Sequence, residues 1–231
     1  MLIDVVSLSQ FSCDKPIIAR LKYATHENFV GTVIPGYNPD AHDFALMTPD
    51  AANALCQVQQ YLLNHYNFSL LIYDSYRPKR AVDYFLIWSK QAGSSEIETV
   101  RKELHYPIIN KNQLFELGYL AEDSNHCYGN TVDLVLIDAQ GNKLDMGTRF
   151  DFMDIKSRSD ATATEIGERA VHHRKILRDA MMHFDFEPYP EEYWHYTHGG
   201  IEGREVMTPM DVAITSDLKG VTRVKTSEGI K

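Results

Sequence analysis

Apolar residues recur at helical spacing in three stretches of the chain and run together or alternate in three others. The first helix begins near Thr48, with Thr48 as N-cap and Pro49 at its first position, and turns Leu55, Val58, Leu62 and Tyr66 inward. Phe68 to Tyr73 follow as a strand. Asp74-Ser75-Tyr76-Arg77-Pro78 then makes a strand-to-helix corner, and Pro78 starts a helix with Ala81, Val82, Phe85 and Leu86 inward. Val132 to Ile137 reads as a second strand, followed by a turn at Ala139-Gln140-Gly141-Asn142 and a predicted hairpin partner over Lys143–Met146. A long helix is predicted from Thr164 to Phe184, with Ile166, Ala170, His173, Ile176, Leu177, Ala180, Met181 and Phe184 inward. The aromatic run Glu191-Glu192-Tyr193-Trp194-His195-Tyr196-Thr197 predicts a third strand.

The remaining segments carry weaker patterns. Residues 1–20 offer a short apolar run, Val5 to Leu8, and then irregular sequence. Residues 21–37 predict loop with short strands wrapped over a surface, and residues 91–115 a polar surface excursion with one helix around Ile97–Leu104. Gly147 to Asp160 reads as irregular. From Ile201 onward aromatics and periodicity fade, and only Asp211–Thr215 predicts a short strand. The expectation is one domain over residues 1–200 and a loosely attached extension over 201–231. Strands and helices do not alternate, which favours an α+β fold with a small antiparallel sheet flanked by helices.

Composition narrows the function classes. The 231 residues are 44% hydrophobic and 24% charged, ordinary values for a globular protein. A net charge of −9 without a basic block argues against a nucleic-acid partner. Three cysteines, Cys13, Cys56 and Cys127, do not suggest a disulfide framework and fit the reducing cytoplasm, with the periplasm as the alternative because a removed signal would leave no trace. No apolar run reaches the roughly 18 residues a membrane span requires. The sequence pattern does not specify an oligomeric state.

Candidate chemistry centres on Ser124 to Asp133. This stretch supplies an imidazole at His126, a carboxylate at Asp133 and a turn-permitting Gly129 between them. Glu192 and His195 add a second imidazole and a spare carboxylate. His126, Asp133 and His195 make the ligand set of a catalytic zinc site, one ion per chain, with a fourth position open. Glu192 is the candidate general base. Side chains three apart in a strand face opposite sides, so Glu192 must precede the strand or sit at a bulge to reach the metal. Cys127 adjoins His126, but neighbouring residues rarely both reach one ion. His198 is the histidine that competes with His195 for the assignment. Arg77 on its corner reads either as a surface cation or as a guanidinium aimed at a developing oxyanion, and spacing alone leaves both open.

Ser124-x-His126-x-x-Gly129-x-x-x-Asp133, Glu192-x-Trp194-His195 and Tyr76-Arg77-Pro78-x-Arg80-Ala81-Val82 together resemble the zinc D-alanyl-D-alanine dipeptidases of the VanX type, within the zinc D,D- and L,D-peptidases of hedgehog-like fold. Lys22-Tyr23-Ala24-Thr25, Asn28-Phe29-x-Gly31 and Met146-Gly147-x-Arg149-Phe150-Asp151 extend the likeness over roughly residues 20–198. The resemblance implies that His126, Asp133 and His195 bind zinc, that Glu192 is the catalytic base and that Arg77 stabilises the oxyanion. It further implies that Tyr23, Ser124 and Asp151 hold the substrate's free amino end, and that Tyr37 and Phe85 line a small pocket. Thr131, Cys127-Tyr128 and Tyr193 depart from the family pattern without removing a catalytic group. The implied reaction is hydrolysis of D-Ala-D-Ala or a similar small D,D-dipeptide. The alternatives are a carboxypeptidase or endopeptidase acting on longer peptidoglycan stems, and a non-catalytic zinc-binding module. Blocking the substrate's amine would separate the first two. The presence of both Glu192 and Arg77 argues against the third.

Overall fold

The computed structural model describes residues 1–93, 95–200 and 208–219. In chain order its strands and α-helices are β1 (Ile3–Asp4), α1 (Val5–Ser12), β2 (Ile18–Ala19), β3 (Leu46–Met47), α2 (Pro49–Tyr66), β4 (Ser69–Asp74), α3 (Lys79–Lys90), α4 (Glu96–His105), β5 (Thr131–Ile137), α5 (Ala163–Ile166), α6 (Glu168–His183), β6 (Phe186–Pro188) and β7 (His195–His198). The main sheet has the order β2-β4-β5-β7-β6. Its pairs are antiparallel except β2 with β4, which is parallel, and β1 and β3 form a separate antiparallel pair. The fold is therefore mixed α and β, with helices packed on a largely antiparallel sheet.

Every residue of β4 and β5 is buried, so both faces of the central sheet are covered. Val132, Leu134 and Leu136 are fully buried on one face of β5, and alternation turns Asp133 and Val135 to the other. α2 packs on β4 and α6 on β5. The opposite face carries the clefts. α2 starts as its sequence predicts, with Pro49 at the first turn, and it ends at Asn67 in a left-handed conformation (φ 57°). Leu55, Val58 and Leu62 face the core, whereas Tyr66 is 40% exposed at the helix end.

Several expectations are corrected. The N-terminal apolar run belongs to a helix, α1, whose N-cap Asp4 accepts from Val6 N at 3.0 Å. Residues 21–37 contain no strand; they turn through a 3-10 helix at Lys22–Ala24 and enter the core with Tyr23, Phe29 and Ile34. Asn28 makes that burial affordable. Its amide donates to the carbonyls of Thr25 and Thr32, both at 2.7 Å, while its oxygen accepts from Val30 N and Gly31 N. The long C-terminal helix is interrupted at Gly167 (φ 85°, ψ 149°), which separates α5 from α6. The hairpin partner of β5 reduces to one bridge, Ile137 with Lys143.

The extension is not loosely attached where it is described. Residues 208–215 run as irregular chain across the body, without the strand expected at Asp211–Thr215. Met210 N donates to Cys127 O (3.0 Å), Lys79 N to Met210 O (3.0 Å) and Ile214 N to Gly36 O (2.7 Å). The buried Tyr76 hydroxyl accepts from Val212 N and donates to Val212 O, and Ile214 is 1% exposed. The periodicity that marks helices and strands cannot reveal such a strap, because its contacts are backbone bonds to distant loops. Residues 201–207 and 220–231 lie outside the described residues.

Candidate active site

Strand register assembles the centre. Asp133 on β5 pairs with His195 on β7 on one side and, through an irregularity at Tyr73, with Asp74 at the end of β4 on the other. The bulge turns Asp74 to the same side as Asp133, a common device beside reactive sites. His126 enters from the 3-10 helix Asn125–Tyr128, whose C-cap Gly129 has φ 79°. A Cβ at Gly129 would also lie 2.5 Å from Leu2 Cδ2, so a side chain there would be strained by its backbone and would have to displace Leu2.

His126, Asp133 and His195 each offer one ligand atom, all within 4.8 Å of one another. His126 Nε2 lies 3.3 Å from Asp133 Oδ2, and His195 Nδ1 lies 3.2 Å from Asp133 Oδ1. Yet His126 Nε2 and Asp133 Oδ1 are buried without a hydrogen-bond partner. The atoms are close without being hydrogen-bonded to one another, an arrangement that one ion could satisfy. The His126 Nδ1–H donates to Ser75 O at 2.6 Å, which leaves the Nε2 lone pair for a metal. Two imidazole nitrogens and a carboxylate oxygen suit zinc. Burial alone would lower His195, but the neighbouring carboxylates of Asp133 and Glu192 outweigh it and lift the imidazole to about 9. Burial likewise pushes Asp133 upward, and the two histidines reverse this and hold it far below the usual carboxylate range. The cluster attracts positive charge. Cys127 and His198 take no part in it. Cys127 is buried, which pushes its thiol up to about 11, and His198 packs on Phe186 at a ring distance of 5.0 Å.

Glu192 lies before β7 rather than within the strand. His195 N bonds to Glu192 O at 3.2 Å, and this turn brings Glu192 Oε2 to 3.5 Å from His195 Nδ1. Burial raises the Glu192 carboxyl above its ordinary value, against the opposing pull of His195.

Arg77 is not a surface cation. It is 8% exposed, and its Nε donates to Asp74 Oδ2 at 2.8 Å while Nη2 lies 3.4 Å from Asp133 Oδ2. Its guanidinium carbon sits 5.0 Å from the Tyr23 ring centre and 5.7 Å from that of Phe85. Tyr37 donates to Asp74 Oδ1 at 2.6 Å. Tyr37 and Phe85 therefore stand behind Arg77 and do not line the cavity expected of them.

The cavity itself measures about 220 Å³ and is lined by Tyr23, Arg77, Ser124, Asp133, Asp151, Glu192 and His195, with Tyr119, Asn125 and Tyr189 among its further walls. Asp151 is 5% exposed, and the Tyr23 hydroxyl lies 3.2 and 3.1 Å from its two oxygens. Burial, with Asp133 and Glu192 nearby, raises the Asp151 carboxyl well above its ordinary value. It is a carboxylate in want of a counter-charge. Its backbone has φ 55°, and its carbonyl accepts from His105 Nδ1 at 2.9 Å. Sequence reasoning passed over Asp74, His105, Tyr119, Asn125 and Tyr189 as site residues. Only Asp74 left a signal, a carboxylate three residues before Arg77 on a tight corner.

The family model described as Peptidase_M15, D-ala-D-ala dipeptidase, matches residues 3–210. A D-alanyl-D-alanine dipeptidase of Enterococcus faecalis is 39% identical over 176 residues, 76% of this chain and 82% of that protein. One of Streptomyces coelicolor is 38% identical over 177 residues, 76% of this chain and 83% of its own. One of Escherichia coli is 28% identical over 177 residues, covering 77% and 76%.

Proposed function

We propose, for a chain that belongs to the Peptidase_M15 family of D-Ala-D-Ala dipeptidases, that it hydrolyses D-Ala-D-Ala to two molecules of D-alanine with one zinc ion held by His126, Asp133 and His195. The observation that carries this reading is the joint presence of Arg77, Glu192 and Asp151 in one small cavity with Asp133 and His195. At about 220 Å³ the cavity falls below the roughly 300–1,000 Å³ of sites for larger ligands, which suits a dipeptide better than a stem peptide. Glu192 and Arg77 would be superfluous in a purely structural zinc module.

Zinc, when bound, makes water a stronger acid and polarises a carbonyl. The chain's own residues supply the rest. Asp151, fixed by Tyr23, takes the substrate's ammonium, with Ser124 beside it. This orients the scissile carbonyl and makes the free amine a condition of binding. Glu192 removes the proton of the attacking water; its raised carboxyl is a better base for that step. Arg77, immobilised by Asp74, donates to the oxyanion as the carbonyl becomes tetrahedral. Glu192 then returns the proton to the leaving amine nitrogen, and the C–N bond breaks.

The test is release of D-alanine from D-Ala-D-Ala by the zinc-loaded protein and by Glu192→Gln, with zinc content measured in both. The variant should retain one zinc and lose roughly 10²- to 10⁴-fold in kcat. N-acetyl-D-Ala-D-Ala should not be cleaved. Undiminished turnover in Glu192→Gln would remove Glu192 as the base, and rapid cleavage of the acetylated peptide would shift the reading to a carboxypeptidase.

A further inference from the structure

A second and larger cleft, about 810 Å³, opens on the same side of the sheet as the active cavity. The two share a wall built from neighbouring residues. Phe150 lines the cleft and Asp151 the cavity; Tyr193 lines the cleft and Glu192 the cavity; Lys22 lines the cleft and Tyr23 the cavity. On β5 the same alternation places Val135 in the cleft and Asp133 in the cavity. Nothing in the proposed hydrolysis uses this cleft.

Its charge is opposite to that of the molecule. The chain carries −9 overall, yet the cleft wall holds Lys22, Arg101, Lys143 and Arg149 against Glu27 and Asp145. Lys22 is paired with Glu27 at 2.8 Å. Among the described residues Arg101, Lys143 and Arg149 form no ion pair. Asp145 is occupied in a turn, accepting from Gly147 N at 2.9 Å. Tyr73, Phe150 and Tyr193 add aromatic wall. His105, also in the cleft wall, registers the field. Its imidazole is held down to about 4, first by burial and then by the charges of Arg149, Arg101 and Lys22.

We propose that this cleft binds a small phosphorylated ligand, with Arg101, Lys143 and Arg149 on its phosphate oxygens. Two unpaired guanidinium forks match the several oxygens of a phosphate, and a volume of about 810 Å³ admits a group as large as a nucleotide beside the aromatic wall. The site is separate from the zinc cluster and stands whether or not the hydrolytic assignment does.

Isothermal titration of zinc-loaded protein with inorganic phosphate and with adenosine monophosphate tests it, with zinc content checked before and after. Saturable binding of either probe is expected, weakened at least about tenfold in Arg101→Ala/Lys143→Ala and at raised salt. D-Ala-D-Ala turnover of the double variant without added ligand should match wild type, which shows that the variant is folded. No saturable binding of either probe below about 10 mM would overturn the proposal. So would binding that the double variant leaves unchanged, which would place the anion on the metal. Binding of succinate with no binding of phosphate would overturn the ligand class.

Discussion

Asp133 and His195 are direct cross-strand partners on β5 and β7, with Oδ1 and Nδ1 3.2 Å apart. Side chains alternate faces along a strand, so a slip of one residue in this pairing would send one of them through the sheet. Two of the three proposed ligands are thus set by the sheet register. Asp133→Asn keeps the shape and removes the charge. It should lower zinc affinity by more than about 100-fold, measured by competition with a chromophoric chelator, with the circular dichroism spectrum unchanged.

Asp74 fixes the direction of Arg77 through the 2.8 Å bond to Nε, and Tyr37 holds Asp74 from behind. Asp74→Asn should therefore reduce kcat by roughly 10²-fold with little change in KM if, as proposed, the guanidinium acts on charge that develops only in the transition state. Arg77→Lys should fare no better than Arg77→Ala in kcat, since a lysine cannot keep the forked contact with Asp74. Steady-state kinetics on the zinc-loaded variants decides both.

His105 gives the fold a dependence on pH. Its imidazole stays neutral in the native chain down to about 4, whereas in the unfolded chain it protonates near 6.5. The unfolded state therefore binds the extra proton between these values. The His105 contribution is full above pH 6.5 and is lost as the pH falls toward 4, by up to about 3 kcal/mol. His105→Asn keeps a donor for the Asp151 carbonyl and removes the titration. Urea midpoints between these pH values should fall less steeply in the variant than in wild type.

The C-terminal strap is a structural member. Ile214→Ala should destabilise the protein by about 2–5 kcal/mol, because the side chain is fully enclosed. Phe11→Ala, at a position 88% exposed, should change stability by less than about 0.5 kcal/mol and serves as the comparison. Urea unfolding of the two variants separates a docked strap from a loose one.

Periodic elements were legible in the chain, and irregular ones were not. α2, β4 and β5 begin and end close to where apolar spacing and Pro49 place them, and α3 begins next to Pro78. That His126, Asp133 and His195 come together was legible because metal chemistry calls for particular side chains. The turn that seats Glu192 before β7 was legible as a geometric requirement. Tyr37 and Phe85 were misplaced, because both are buried aromatics near the site and only coordinates separate a wall from its backing. The burial of residues 21–37 depended on one asparagine, Asn28, satisfying five loop partners, and no spacing rule detects that.

The three proposed ligands are dispersed along the chain, at positions 126, 133 and 195. His126 is oriented by a carbonyl from the β4–α3 corner, and Asp133 meets His195 only after β5 and β7 have paired. The unfolded chain holds no preformed chelate. In a small zinc finger the ion drives folding; here the proposed ligand set would exist only once β5 and β7 have paired. On the proposed assignment, zinc uptake would be a bimolecular step on a folded polypeptide. A chain stripped by a chelator should then keep its backbone and regain its metal without passing through the unfolded state, which circular dichroism before and after chelation would check.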